Sequence, residues 1–182
     1  MSSDRFSQFS YPTSIWYGLN VTDRLGKAVK SFNTESVFLV TDKGLVSAGL
    51  LDRILAVLKQ SKIKYEVFDE VEANPQIRTV NKGADFFAKS IDRLIIAFGG
   101  GSPIDAAKAI GVKATHEGNI RDYTRHGGQM VQPITPPIIA IPTTAGTGSE
   151  VTWVSVLVDQ DTNRKIVVPS PYLAPRLALL DP

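Results

Sequence analysis

The chain has 182 residues, 43% of them hydrophobic and 21% charged, with a formal net charge of +2. That length fits one domain with a sizeable core, and the scattered basic residues (Lys62 and Lys64, Arg121 and Arg125) predict solvated surface rather than a nucleic-acid track. Cysteine is absent, which excludes disulfides, thiolate nucleophiles and cysteine-bound metal. The opening MSSDRFSQFSYPTS is polar and does not read as a secretory signal, and no run of about 18 apolar residues could span a bilayer. The expectation is a cytoplasmic protein with no membrane or nucleic-acid partner.

Short apolar runs alternate with helix-period segments. Residues 36–42 (SVFLVTD) read as a strand covered on both faces. Residues 50–60 follow as a helix, with Leu50, Ile54, Leu55 and Leu58 on one stripe. Residues 65–71 make a second strand, alternating through Tyr65, Val67 and Asp69. Residues 77–90 make a second amphipathic helix carrying Ile77, Val80, Ala84, Phe87 and Ala88. A third strand at 93–98 leads to a third helix at 103–114, and a fourth strand lies at 137–141. This alternation predicts right-handed crossovers and an α/β fold: a parallel sheet with helices on both faces. Residues 153–158 and 165–168, joined by the polar turn 159–164, predict a C-terminal β-hairpin. Residues 177–180 predict one more buried strand. A buried strand followed at once by Asp181-Pro182 predicts a chain cut at a domain boundary.

Chemistry first enters at Gly99-Gly100-Gly101-Ser102-Pro103-Ile104-Asp105. Ser102 suits an N-cap, Pro103 the first helical position, and Asp105 the acid of a capping box. Bare glycine backbone before a helix offers N–H groups and a positive dipole end to a phosphate. The bland reading is a tight strand-to-helix turn and nothing more. The spacing differs from G-x-G-x-x-G and follows the third predicted strand rather than the first. A second loop, 142–150, carries hydroxyls at Thr143, Thr144, Thr147 and Ser149 between two glycines, and it follows the fourth predicted strand. In an open α/β sheet both loops lie on the carboxyl edge, where ligands bind. Asp42 ends the first predicted strand on that edge. It is either an acceptor for the two hydroxyls of an adenine ribose, which would favour NAD over NADP, or a helix-start acid before Lys43-Gly44.

Together, GGGSPIDAAKAIG (99–111) and IPTTAGTGSEVT (141–152) resemble the two signature stretches of the iron-dependent (group III) alcohol dehydrogenases. The likeness extends to VTDKGL (40–45) and Asn74-Pro75 and covers essentially the whole chain, as that family's N-terminal, NAD-binding domain. Related glycerol dehydrogenases and dehydroquinate synthases share a similar glycine loop but differ after the paired threonines. The resemblance implies a Rossmann-like, dehydroquinate synthase-like N-terminal domain over residues 1–182, with the metal-binding helical domain absent from this chain.

At matching positions the resemblance implies a cofactor site. Asp42 would bind the adenine ribose, and Asn74 would lie near the ribose–pyrophosphate. Gly99 belongs to the glycine loop, in which Gly100, Gly101 and Ser102, with Asp105, would hold the pyrophosphate. Thr143, Thr144 and Thr147 would line the adenine and phosphate side, and Thr152 and Lys165 would approach the nicotinamide. A lysine on a hairpin strand is otherwise a solvated one. No catalytic residue and no metal ligand is assigned: the family binds one divalent metal, iron or alternatively zinc, through an aspartate and three histidines in its second domain. Here the histidines are only His116 and His126, which read as surface loop residues. For the intact enzyme the implied function is reversible hydride transfer between a primary alcohol and its aldehyde, with NAD and the metal as cofactors. The chain alone would be inactive. Members of the family associate, and 14–18 (SIWYG) could serve homo-oligomer formation. The alternatives are a free-standing nucleotide-binding or scaffold module, a glycerol-dehydrogenase-like polyol oxidoreductase, and a sugar-phosphate isomerase-like domain.

Overall fold

Side chains alternate across a strand, and along three central strands of this protein both sets are apolar, so a single sheet separates two cores. A computed structural model describes residues 11–88 and 94–182. In chain order the elements are β1 (Ser14–Tyr17), α1 (Leu25–Lys30), β2 (Ser36–Val40), α2 (Lys43–Ser47), α3 (Leu50–Gln60), β3 (Lys64–Phe68), α4 (Ile77–Phe87), β4 (Leu94–Gly99), α5 (Gly101–Thr115), β5 (Ile138–Pro142), β6 (Val154–Asp159), β7 (Arg164–Pro169) and β8 (Leu177–Leu180). Six strands form one sheet in the order β1-β8-β5-β4-β2-β3, with every pairing parallel. β6 and β7 pair antiparallel as a separate hairpin.

Phe38 and Val40 of β2, Ile95 and Ala97 of β4, and Ile138 and Ala140 of β5 face α4 and α5. Val37, Leu39, Leu94, Ile96, Phe98, Ile139 and Ile141 face α1 and α3. A one-residue slip would exchange the two sets, so the register is fixed on both faces. The expected three-layer α/β fold with an appended hairpin is the observed one.

Several boundaries differ from expectation. The second predicted strand stops at Phe68, because the chain leaves the sheet there and makes only an antiparallel bridge between Asp42 and Glu70. In α3, Leu51 rather than Leu50 joins Ile54 and Leu58 on the buried face; Leu50 is 52% exposed. Positions 51, 54 and 58 lie closer to one line on a helix of 3.6 residues per turn. The predicted end of the second helix at 89–90, and Arg93, lie outside the described residues. β1 and α1 carried no helix or strand expectation beyond the association role of 14–18; β1 extends the sheet by pairing with β8.

Candidate cofactor site

The strand order creates the site. From β2 the chain passes to β3 at one edge, then crosses to β4 on the other side of β2. The connections leaving β2 and β4 therefore diverge, and the carboxyl ends of the two strands open a crevice. A cavity of about 890 Å³ lies there, lined by Asp42, Lys43, Gly100, Gly101, Ser102, Thr143 and Thr144, with Asp69, Glu70 and Glu72 on the β3 side.

The glycine loop is arranged differently from its expected capping. α5 begins at Gly101 with Gly100 as its N-cap, and no side chain caps it. Ser102 sits inside the first turn, and its Oγ accepts from the Asn74 N–H at 3.3 Å. Pro103 has no N–H to satisfy. The helix start thus presents uncapped backbone donors and its positive dipole end to the cavity. Gly99 holds φ +146°, and a Cβ there would stand 2.6 Å from the Pro103 ring, so only glycine fits this turn. A Cβ on Gly101 would meet the Thr147 side chain at 3.0 Å. The bare backbone therefore also lets the threonine loop close onto the helix start, a packing role that the phosphate reading alone does not supply.

Of the two readings of Asp42, the helix-start acid is the observed one. Its Oδ1 accepts from the Leu45 N–H at 2.9 Å and caps α2, while the residue lines the cavity. Asn74 adopts a left-handed φ of 57° and is fastened to the glycine loop through Ser102. Glu72 is committed to α4, accepting from the Gln76 N–H at 3.1 Å and the Thr79 hydroxyl at 2.8 Å. Thr143 and Thr144 line the cavity, and Thr147 packs beside Gly101.

Three expected site residues stand elsewhere. Asp105 makes no capping box: it is 8% exposed, and its Oδ2 accepts from the Val156 N–H at 3.1 Å beneath the hairpin. Burial raises its carboxyl above the ordinary value, against the pull of Lys108. Thr152 lies behind the loop, bonded to Lys108, and does not line the cavity. Lys165 is exposed on β7 opposite Val158.

Sequence reading missed Lys108. It is fully buried, and burial pushes its ammonium down to about 8, opposed by Asp105 and Glu150. The signal was available: one lysine in the middle of a helix whose residues 103–112 are otherwise apolar or small, apart from Asp105 one turn before it. Arg121, expected to be solvated, instead binds Asp159 through two hydrogen bonds of 2.9 and 2.5 Å and also pairs with Asp161, tying the hairpin turn to the loop after α5. His126 is exposed as expected, but His116 is half-buried. Its Nε2 accepts from the Gln132 N–H at 2.8 Å, and its ring packs edge-on to Tyr123.

An uncapped helix start on glycine backbone, beside a carboxylate and two threonines, has the donors and the space that a dinucleotide diphosphate needs. Residues 12–182 match the model of the family described as iron-containing alcohol dehydrogenase. The chain belongs to this family. It is 40% identical over 182 residues to a choline dehydrogenase from Bacillus subtilis, covering 100% of this chain and 45% of that protein. It is 38% identical over 182 residues to a 1,3-propanediol dehydrogenase from Citrobacter freundii, covering 99% of this chain and 46% of that one. The crystal structure of sulfoacetaldehyde reductase from Bifidobacterium kashiwanohense, in complex with NAD+, superimposes with a TM-score of 0.88 at 30% identity, covering 97% of this chain and 46% of that chain. The chain thus spans about half the length of the family members it matches. Among the described residues no group of three or more histidines, aspartates and glutamates could hold a metal ion. Among them, too, no helix is long and apolar enough to cross a membrane.

Proposed function

We propose that this chain is the NAD-binding half of an iron-containing alcohol dehydrogenase, an enzyme that in intact form interconverts a primary alcohol and its aldehyde. The observation that carries this reading is the uncapped start of α5 opening into the switch-point cavity. Bound there, NAD supplies the nicotinamide that accepts or returns the hydride; the protein supplies binding and orientation. The N–H groups of Gly101 and Ser102 donate to the diphosphate, and the helix dipole adds to their field. Asp42 accepts from the adenine ribose with the oxygen that α2 does not use. Thr143 and Thr144 offer hydroxyls on the opposite wall and Asn74 orients Ser102, while Thr152, outside the cavity lining, is given to the nicotinamide end only by the family likeness. Lys165 is assigned to that end on sequence resemblance alone.

The domain assignment belongs to the same proposal: residues 1–182 bind the dinucleotide, and a helical domain outside this chain holds iron, with zinc as the alternative. The exposed Ile15 and Tyr17 on the edge strand β1 support association of two copies there. Calorimetry with NAD+, NADP+ and a sugar phosphate tests the cofactor. Binding of NAD+ in preference to the other two is expected, and binding of the sugar phosphate alone would replace this reading with an isomerase-like one. A reading frame that continues past Pro182 into a D-x-x-x-H segment is expected; a stop codon would point to a free-standing module. Turnover of ethanol or propanediol by this polypeptide with added iron or zinc would contradict the division of labour.

A further inference from the structure

Two carboxylates stand opposite each other where β2 and β3 release the chain. Asp42 and Glu70 form an isolated antiparallel bridge, and both line the cavity. Residues directly opposite in such a pair hold their Cβ atoms about 4.5–5.5 Å apart on one face, where like charges destabilise. Asp42 is explained by the cap it gives α2. Of the other acids on the β3 side, Glu72 is spent on α4. Glu70 instead accepts from the Lys82 ammonium of α4, and both of those side chains are exposed. That hydrogen bond, joined by the charge of Lys43, holds the Glu70 carboxyl below its ordinary value, so it is ionised at neutral pH.

An exposed ion pair adds little stability, and a like charge opposite Asp42 removes some, so folding does not account for Glu70. What its placement supplies is a second negative charge beside Asp42 on the cavity wall. Lys82 offsets part of that charge but does not line the cavity. We propose that Glu70 is a specificity-determining residue of the cofactor site, acting by charge alone beside Asp42 to reject a dinucleotide with a 2′-phosphate, an inference that rests on the cofactor reading above.

NAD+ and NADP+ differ only in the 2′-phosphate, so the ratio of their affinities reads the repulsion and cancels any general loss of binding. Unit charges roughly 8 Å apart in water change an equilibrium about twofold, and a 2′-phosphate carries about −1.5 to −2 of them, so Glu70→Gln should move the ratio toward NADP+ by about threefold. Glu70→Lys reverses the charge and should move it about tenfold, since the same step is taken twice. Glu70→Asp keeps the charge and should keep the parent preference. Titration calorimetry on the 182-residue chain measures all three, with Asp42→Asn alongside. A parent ratio in Glu70→Gln or in Glu70→Lys overturns the proposal, as does a Glu70→Asp protein that shifts as far as Glu70→Gln. If Asp42→Asn moves the ratio and the Glu70 variants do not, Glu70 fails alone. If the unaltered chain binds neither dinucleotide, the cofactor reading falls and this inference with it.

Discussion

Asp42 caps α2 and, in the proposed function, also accepts from the adenine ribose; one substitution separates the two roles. Its Oδ1 caps α2 at 2.9 Å from the Leu45 N–H, and its charge faces the cavity where a ribose would sit. Asparagine caps a helix as well as aspartate does but carries no charge. A 2′-phosphate brings about −1.5 to −2 charges, and unit charges roughly 4 Å apart interact by about 1 kcal/mol in water and about 4 kcal/mol at an effective dielectric of 20. The cavity is open and its rim carries Asp69, Glu70 and Glu72 as well, so the lower part of that range applies to removing one carboxylate. Asp42→Asn should therefore shift relative affinity toward NADP+ by about tenfold, equivalent to about 1.4 kcal/mol, with the melting temperature unchanged. Asp42→Ala should produce the same shift and also lose the cap, about 1 kcal/mol or roughly 2–4 °C. Titration calorimetry with both dinucleotides, beside thermal melts of the three proteins, measures each quantity. An Asp42→Asn protein that discriminates between NAD+ and NADP+ as the parent does would refute the ribose assignment and leave Asp42 as a cap alone.

Gly101→Val should abolish dinucleotide binding, because its Cβ already meets Thr147 at 3.0 Å and its methyls would crowd the helix start. Overpacking of about 1–3 kcal/mol leaves a folded protein by circular dichroism, and retained affinity would move the diphosphate elsewhere. The Asp159 carboxyl is held well below the ordinary carboxylate range, chiefly by hydrogen bonds from Arg121. A depressed folded pKa stabilises at neutral pH and loses that effect as pH falls through the folded value; Asp159→Asn should flatten the acid limb of melting temperature against pH, and an unchanged limb would deny the clamp. His116→Ala removes the acceptor of the Gln132 N–H, so amide exchange near residue 132 should quicken by about 1 kcal/mol of local protection. Exchange at the parent rate there would show that the ring does not hold this loop.

The amino-acid order alone determined the alternation of strands and helices, the two-faced sheet, the hairpin, and the two loops on one edge. Each rests on local physics: apolar period, turn residues, and glycine at a strand end. It also exposed Asp42 as a choice between cap and ribose acceptor, since both uses need the same carboxylate at the same strand end. Only the tertiary structure showed that α5 starts at Gly101, before the serine expected to cap it, and that this serine's hydroxyl accepts the Asn74 N–H from 28 residues earlier. Only the tertiary structure turned Asp105 beneath the hairpin, placed Lys108 on Thr152, and made Arg121 a clamp, through partners 38 to 51 residues away. A charged side chain's role depends on which groups surround it once water is excluded, and those groups arrive from distant segments that no local pattern encodes.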